Sequence, residues 1–270
     1  MTRKILFLIL PLSFLLVSSV FAATDWCASA NMKGAWKFEE TSGSVIDCTS
    51  NGNNGTVTSG TQGVTGKYGN AIDFNQNNNE KLNFGSATSL DDLTQKTLGA
   101  WVYPDTDGDN SGGSCNGGVV FHKSEWGFCI QPTDKIRFFH RWNGGQTSWD
   151  TTNADVSYGA WHHWAVKYDR GSTTNDPVIW VDGVVKSTNN PNPCCSSANS
   201  DGWSNLHSAQ NGNDINEFDG KYDEAFYYSG MLTDTDINEI KDSGLDGLQG
   251  STAAYSGRGI ARAVGRGMGR

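Results

Sequence analysis

The chain has 270 residues, of which 33 are Gly and 6 are Pro, and 36% are apolar. This composition excludes collagen-like, coiled-coil and low-complexity proteins. The formal net charge is −9, and because phosphate-bearing partners need clustered Lys and Arg side chains, we expect no nucleic-acid partner.

The first 22 residues have the pattern of a secretory signal peptide. Arg3 and Lys4 precede an apolar run from Ile5 to Val17, and the small-residue site Val20-Phe21-Ala22 follows. The apolar run is shorter than the roughly 20 residues that a bilayer-spanning helix needs. We therefore predict cleavage after Ala22, a secreted extracellular protein and no membrane span.

Most later segments are short, rich in alternating apolar or aromatic residues, and bounded by Gly, Asn, Asp and Ser, as in all-β sandwiches. The predicted strands are Lys33–Glu40, Asn70–Asn75, Lys81–Phe84, Thr97–Tyr103, Val119–Lys123, Gly127–Gln131, Lys135–Trp142, Trp161–Tyr168, Val178–Lys186 and Phe218–Tyr228. Because no helical crossover separates them, the sheets must be antiparallel. The predicted fold is a two-sheet antiparallel jelly-roll sandwich.

Two local signals are specific. Asp182-Gly183 supplies the two positive-φ residues of a type I′ hairpin turn. One short C-terminal helix is predicted over Asp234–Lys241, with Thr233 as its N-cap and Gly244 as its stop. The domain thus spans 33–244, preceded by an N-terminal arm at 23–32 and followed by a flexible Gly- and Arg-rich tail at 245–270.

The chain has six cysteines, and an even number in an exported chain predicts disulfides. Cys27 and Cys48 flank the first strand, so we expect them to pair. Cys115 and Cys129 bracket a predicted hairpin. Either they pair with each other and Cys194 bonds its neighbour Cys195, or each of the two meets one of these neighbours.

A series of landmarks follows in a specific order. They are Gly34-Ala35-Trp36-Lys37-Phe38-Glu39-Glu40, Asp47-Cys48-Thr49-Ser50-Asn51-Gly52-Asn53-Asn54-Gly55, Gly69-Asn70-Ala71-Ile72-Asp73-Phe74, Ala100-Trp101-Val102, Trp161-His162-His163-Trp164-Ala165, Val181-Asp182-Gly183 and Phe218-Asp219-Gly220-Lys221-Tyr222-Asp223-Glu224. From about Lys33 to Gly244 the chain resembles the laminin-G-like jelly-roll domain of the concanavalin A-like lectin and glucanase superfamily. The resemblance implies two curved sheets, a structural calcium ion, and binding of glycans or proteins outside cells.

The glucanases of this superfamily place paired acids on one strand, because retaining hydrolysis needs a nucleophile and a separate proton donor. The nearest match is Glu217-Phe218-Asp219, but Lys221 or Tyr222 stands where the donor is needed. Adjacent His162 and His163 point to opposite faces of a strand and cannot hold one metal ion together. We therefore expect no catalysis.

Two Asp- and Asn-rich loops are candidates for calcium, which prefers six to eight oxygen ligands. For the first, the resemblance implies Asp47, carbonyls near Asn53, and Asp223; the alternative is a solvated loop, with Asp223 paired to a lysine. The second contains Asp105, Asp107 and Asp109 at EF-hand-like spacing. It has Asn110 and Asn116 where that motif requires Gly and Glu, and the alternative is a polar surface loop.

Sugars stack their C–H faces on exposed aromatic rings, so the ten tryptophans are divided by context. Trp36, Trp101, Trp161, Trp164 and Trp180 lie in apolar strand patterns and are predicted to be core. Trp126, Trp142, Trp149 and Trp203 lie beside charged or polar residues and are the predicted carbohydrate-binding residues, together with His140 and Arg141. The alternative is that each of these rings covers a sheet edge.

We therefore expect a secreted, non-catalytic, lectin-like module that binds a carbohydrate or cell-surface glycoconjugate and contains structural calcium. An extracellular adhesion protein that binds other proteins is the second possibility. An unusual glycoside hydrolase or lyase is the third.

Overall fold

The computed structural model describes residues 23–247 except 77, 110, 111, 113, 116, 190–194, 203 and 212–215. The predicted signal peptide, Trp203, Cys194 and most of the predicted tail therefore lie outside the described residues. Within the described part of the chain, no helix is both long enough and apolar enough to cross a membrane.

Strands account for nearly all of the regular structure. They are β1 (Met32–Trp36), β2 (Thr56–Thr58), β3 (Thr61–Thr65), β4 (Asn70–Phe74), β5 (Lys81–Gly85), β6 (Gln95–Pro104), β7 (Val119–Lys123), β8 (Trp126–Gln131), β9 (Lys135–Trp142), β10 (Gly145–Asp150), β11 (His162–Asp169), β12 (Val178–Val181), β13 (Val184–Lys186), β14 (Leu206–Ser208) and β15 (Gly220–Ser229). Two 3-10 helices, Trp26–Ala28 and Thr88–Leu90, and one α-helix, α1 (Asp234–Ser243), complete the described structure.

The strands form two antiparallel sheets. The eight-stranded sheet has the order β13-β12-β11-β6-β15-β4-β3, with β1 also paired to β15, and the seven-stranded sheet has the order β10-β9-β8-β7-β14-β5-β2. Every pairing between the named strands is antiparallel. This arrangement confirms the predicted jelly-roll sandwich.

The main core lies between the two sheets and consists largely of aromatic rings. The eight-stranded sheet contributes alternate residues such as Trp164 and Tyr222, and the seven-stranded sheet contributes Trp126, Phe138 and Trp149. Because side chains alternate across a strand, the residues between them face outward on each sheet.

A second apolar layer covers part of the outer face of the eight-stranded sheet. Ile237 and Ile240 of α1 pack with strand residues Trp180 and Phe226. Leu245 belongs to this layer and is fully buried. The predicted boundary at 244 is therefore wrong, since the folded domain includes residue 245 at least.

The local predictions are confirmed. Asp182 and Gly183 have φ angles of 52° and 79° between β12 and β13. Thr233 and Asp236 form the reciprocal hydrogen bonds of a capping box at the start of α1. Cys27 pairs with Cys48 and Cys115 with Cys129, which excludes the exchange of partners between the loops; Cys195 is also disulfide-bonded.

Candidate functional site

The tryptophans predicted to bind carbohydrate are buried. Trp126, Trp142 and Trp149 are 0%, 3% and 1% exposed, and His140 is 0% exposed. Trp126 Nε1 donates to Asp201 at 2.8 Å, and Trp149 Nε1 donates to Asp176 at 2.7 Å. The expectation that these rings are half exposed is therefore wrong.

The cause of this error is strand alternation. The charged residues beside these rings in the sequence, such as Arg141 and Asp150, project from the opposite face of the same strand. Arg141 does lie on the outer face of the seven-stranded sheet, where it donates to the Ser124 carbonyl at 2.8 Å and lies 5.7 Å from the Phe139 ring centroid. It is the one predicted carbohydrate-binding residue that the described structure leaves accessible.

A different set of side chains forms an accessible aromatic surface on the eight-stranded sheet. Lys221 of β15 is in register with Tyr103 of β6 on one side and with Asp73 of β4 on the other. Asp73 is in turn in register with Thr61 of β3. Because paired residues of antiparallel strands project from the same face, these four side chains lie in a line across the sheet.

Trp161 extends this line at the β11 end. Its ring packs edge-on against Tyr103, with centroids 5.6 Å apart. Both residues are half-buried, so part of each is open to solvent. We call Trp161, Tyr103, Lys221, Asp73 and Thr61 the aromatic–polar row; the prediction of Trp161 as core is thereby corrected.

Lys221 connects the rings to an acidic groove. Its ammonium lies 4.4 Å from the Tyr103 ring centroid and 3.5 Å from the Asp105 carboxylate. The groove has a volume of about 310 Å³ and is lined by Thr61, Asp73, Phe74, Asn75, Asn78, Glu80, Asp105 and Asp219. The row therefore combines apolar ring faces with hydrogen-bonding groups, as a surface for a hydroxyl-rich ligand requires.

Burial raises the pKa of Asp73 above its ordinary value. The Lys221 charge opposes this rise, whereas Asp105 and Asp219 add to it. Within the groove, Asp219 accepts a hydrogen bond from Thr106 Oγ1 at 2.9 Å, and Glu80 accepts one from the Asn75 amide at 2.7 Å. The groove is thus rich in acceptors and negative in charge.

The predicted first calcium loop is closed by its own hydrogen bonds. Asp47 accepts from the amides of Ala35, Thr49 and Asn53 at 2.8 to 3.1 Å, and from the Thr49 hydroxyl at 2.9 Å. The Asn53 carbonyl accepts the Trp36 indole N–H at 2.7 Å. In this conformation the Asp47 carboxylate and the Asn53 carbonyl thus accept hydrogen bonds from within the loop and from the first strand.

Asp223 differs from Asp47. It is fully buried, and its Oδ2 accepts the Tyr68 amide at 2.8 Å, whereas its Oδ1 has no hydrogen-bond partner among the described residues. Burial raises the pKa of Asp223 to about 9, and the charges of Glu224 and Glu39 contribute to the rise. An unpaired buried carboxyl oxygen of this kind is suited to a cation.

The second predicted calcium loop runs beside β15. Asp105 faces Lys221, the Asp107 carbonyl accepts the Gly118 amide at 2.8 Å, and the Asp109 amide donates to the Glu217 carbonyl at 2.8 Å. Over the described ranges of the chain, no three His, Cys, Asp or Glu side chains are arranged to hold a metal ion.

Glu217, the acid that most resembles a glucanase nucleophile, is only 4% exposed. Its carboxylate lies 3.5 Å from the Gln210 amide nitrogen. A carboxylate in this position is not open to a polysaccharide chain.

Tyr103 and Trp161 could not be recognised as surface residues from their sequence context. Both continue apolar strand patterns, and on the outer face Tyr103 follows the buried Trp101. Their exposure depends on what packs against the outer face of the sheet around them, which is a property of the tertiary structure. Tyr103 is the last residue but one of β6, and Trp161 directly precedes β11; this position near strand ends is the local indication.

The binding domain of Paraclostridial Mosquitocidal Protein 1 is similar in structure, with a TM-score of 0.61 and 16% identity over 79% of this chain and 52% of that one. The botulinum neurotoxin serotype D ligand binding domain, solved in complex with N-acetylneuraminic acid, has a TM-score of 0.56 and 12% identity over 78% and 50%.

The botulinum neurotoxin type G receptor binding domain has a TM-score of 0.54 and 14% identity over 79% and 52%. The chain thus spans about half the length of these structures, and at such identities the likeness concerns the fold. A search of curated protein sequences found no match. The sequence model of one laminin-G family, described as the concanavalin A-like lectin/glucanases superfamily, matches residues 75–238. The chain therefore belongs to the concanavalin A-like lectin/glucanase superfamily.

Proposed function

We propose that this domain is an extracellular carbohydrate-binding module and that sugar binds along the aromatic–polar row. The observation that carries the proposal is the pair of half-buried rings, Trp161 and Tyr103, beside a groove lined by hydrogen-bonding side chains. The rings offer faces for sugar C–H groups, and the groove offers acceptors for hydroxyl groups. The disulfides Cys27–Cys48 and Cys115–Cys129 support an oxidising compartment outside the cell.

The charge of the groove favours neutral sugars. Asp73, Glu80, Asp105 and Asp219 line it, with Lys221 at its side, and the whole chain carries a net charge of −9. An anionic sugar would meet like charges at short range. The ligand class of the neighbouring neurotoxin domain, which was solved with N-acetylneuraminic acid, is therefore not the one that we propose here.

The proposal is tested by retention of the purified protein on neutral polysaccharides chosen with a glycan array. Replacing either ring, Trp161→Ala or Tyr103→Ala, should lower affinity about tenfold or more. A ring that is buried against a bound sugar contributes about 1–3 kcal/mol to the free energy of binding, and a tenfold change in Kd corresponds to about 1.4 kcal/mol. Arg141→Ala, on the outer face of the other sheet, is the matched control and should bind as the wild type does.

Loss of binding in Arg141→Ala with retention in the two ring variants would place the site on the other sheet. A silent array together with a co-purifying protein partner would favour the adhesion alternative. Release of reducing sugar from the bound polysaccharide would show that the protein cleaves glycosidic bonds, and it would contradict the proposal that the domain only binds sugar.

We also propose calcium as a structural ion at Asp223, supported by its unpaired, buried Oδ1 among the described residues. Ca²⁺ added to chelator-treated protein should raise the melting temperature, and Asp223→Asn should abolish that rise. Asp105→Asn, in the loop at Asp105–Asp109, is the control and should leave that rise in melting temperature unchanged. If titration gives no heat and the melting temperature does not move, the calcium proposal is wrong.

A further inference from the structure

A serine, a histidine and an aspartate form a hydrogen-bonded chain at the rim of the eight-stranded sheet. Ser157 Oγ lies 2.7 Å from His162 Nε2, and His162 Nδ1 lies 2.7 Å from Asp182 Oδ2. Both distances are those of well-formed hydrogen bonds. Ser157 belongs to the loop before β11, His162 begins β11, and Asp182 lies in the turn between β12 and β13.

Asp182 determines which nitrogen of His162 carries the proton. A carboxylate accepts hydrogen bonds and cannot donate them, so Nδ1 is the donor to Asp182. In the neutral imidazole, Nε2 then keeps its lone pair and can accept the Ser157 hydroxyl proton. A nucleophile, a base and an acid in this order activate a serine for acyl transfer.

The turn holds Asp182 in place. Its second oxygen, Oδ1, accepts the His163 amide at 2.9 Å, and its backbone is in the left-handed region with φ of 52°. The hairpin that positions the acid is thus part of the sheet itself. This support gives the carboxylate a fixed orientation toward the imidazole.

The chain of three residues is accessible to a substrate. Ser157 is exposed, and the side chains of His162 and Asp182 are 18% and 44% exposed. His162 directly follows Trp161 of the aromatic–polar row but is in register with the core residue Val102 and so projects to the opposite face; the three residues therefore approach the row at the rim of the sheet. The Tyr103 hydroxyl of the same row lies 3.8 Å from the position that a Cβ on Gly159 would take, in the loop that contains Ser157.

We propose that Ser157, His162 and Asp182 form an esterase site that removes acyl groups from O-acylated sugars bound along the aromatic–polar row. The sugar part of this substrate rests on the proposed function, whereas the reactivity of Ser157 does not. Ser157 and His162 are the catalytic residues, and Asp182 is a positioning residue.

In the first step, Ser157 Oγ bonds to the ester carbonyl carbon while its proton passes to His162 Nε2. The bond to the sugar oxygen then breaks, and that oxygen takes the proton from His162, leaving acyl-Ser157. Water attacks the acyl group, gives one proton to His162, and the released Ser157 oxygen takes that proton back. The products are the free sugar hydroxyl and a carboxylic acid.

The first experiment treats the full chain with a fluorophosphonate, which labels activated serines, and locates the adduct by mass spectrometry. The expected adduct is on Ser157, and it should be absent in Ser157→Ala and His162→Gln. Ser172→Ala, a change of a half-buried loop serine, should still be labelled on Ser157. Labelling of Ser157 no faster than of Ser172 would overturn the proposal.

The second experiment measures hydrolysis of p-nitrophenyl acetate against pH. Ser157→Ala should lower kcat/KM at least about 100-fold. Asp182→Asn should lower kcat/KM across the whole profile, because an amide that donates to His162 Nδ1 favours the tautomer whose Nε2 carries the proton and cannot take the one from Ser157. A profile in Asp182→Asn that matches the wild type would contradict the assigned role of Asp182.

The two proposals fail in distinguishable ways. Ser157→Ala should still bind polysaccharide, because it leaves Trp161 and Tyr103 in place. Sugar binding without a Ser157 adduct would overturn the esterase inference and leave the binding proposal standing. A Ser157 adduct without sugar binding would support the reactive serine and overturn the sugar substrate.

Discussion

At the scale of single residues, the burial of one lysine inside the sandwich costs stability. Lys96 is 0% exposed, and its ammonium lies 3.8 Å from the Asp201 carboxylate and 4.7 Å from the Trp126 ring centroid. Within the described residues its Nζ makes no hydrogen bond. Burial lowers the pKa of Lys96 to about 7, and the charge of Asp201 only partly opposes this.

Replacing this lysine should stabilise the protein near neutral pH. The folded-state pKa of Lys96 lies below the ordinary value of 10.5, so between pH 7 and 10.5 the unfolded chain binds more protons and wild-type stability rises with pH. Lys96→Met removes this dependence and leaves Asp201 its contacts with Lys123 and Trp126. We expect a gain on the order of 1 kcal/mol at pH 7 that shrinks toward pH 10.

Urea denaturation at the two pH values measures this gain. Lys135→Met, a change of a half-buried lysine on β9, is the control and should show no comparable change between them. Lower stability of Lys96→Met at pH 7 would show that the lysine contributes more through Asp201 than its burial costs.

At the scale of elements, sequence alternation located the strands with a buried face. Val119–Lys123 and Lys135–Trp142 have the predicted bounds, and the hairpin at Asp182-Gly183 has the predicted turn. These segments are specified locally, because their side chains and turn residues allow few other structures.

Four strands could not be predicted from the same pattern. They are β2, β3, β10 and β14. Thr61–Thr65 of β3 has no fully buried residue, and Gly145–Asp150 of β10 begins with two exposed ones. Such strands form because a neighbour with unpaired backbone groups lies beside them, and this information is tertiary.

The same limit explains the candidate site. Strand alternation predicts that neighbouring side chains project from opposite faces of the sheet, but it does not predict which face is buried. The charged residues next to Trp142 and Trp149 therefore predict exposed rings, whereas both rings pack in the core. The contact between Ser157, His162 and Asp182 joins three segments that only the sheet brings together.

At the scale of the whole molecule, segments from the two ends of the described chain close the outer face of the eight-stranded sheet together. Trp26 and Leu245 pack in one apolar layer with α1. The Leu245 carbonyl accepts the Trp26 amide at 2.8 Å, and the Leu245 amide donates to the buried Glu224 carboxylate at 2.6 Å. The N-terminal arm and the residues after α1 thus depend on each other.

This dependence predicts where the domain can be shortened. A chain ending at Gly244 loses the burial of Leu245 and leaves the Glu224 carboxylate without the hydrogen bond from the Leu245 amide. Burial already raises the pKa of Glu224 to about 7. Without that hydrogen bond, keeping the carboxylate buried costs more free energy. We expect a loss of about 2 kcal/mol or more in the free energy of unfolding. A chain ending at Gly247 keeps Leu245 and the Asp246–Lys37 ion pair and should unfold as the full-length protein does.

The comparison is made by thermal and urea denaturation of the two shortened chains and of Leu245→Ala in the full-length protein. Leu245→Ala keeps the backbone hydrogen bonds and removes the side chain, so it should lie between the two shortened chains in stability. Because the loss at Gly244 also frees the Trp26 segment, protease cleavage near Trp26 should accelerate in that chain alone. Equal stability of the two shortened chains would show that the layer between the N-terminal arm and α1 does not need Leu245.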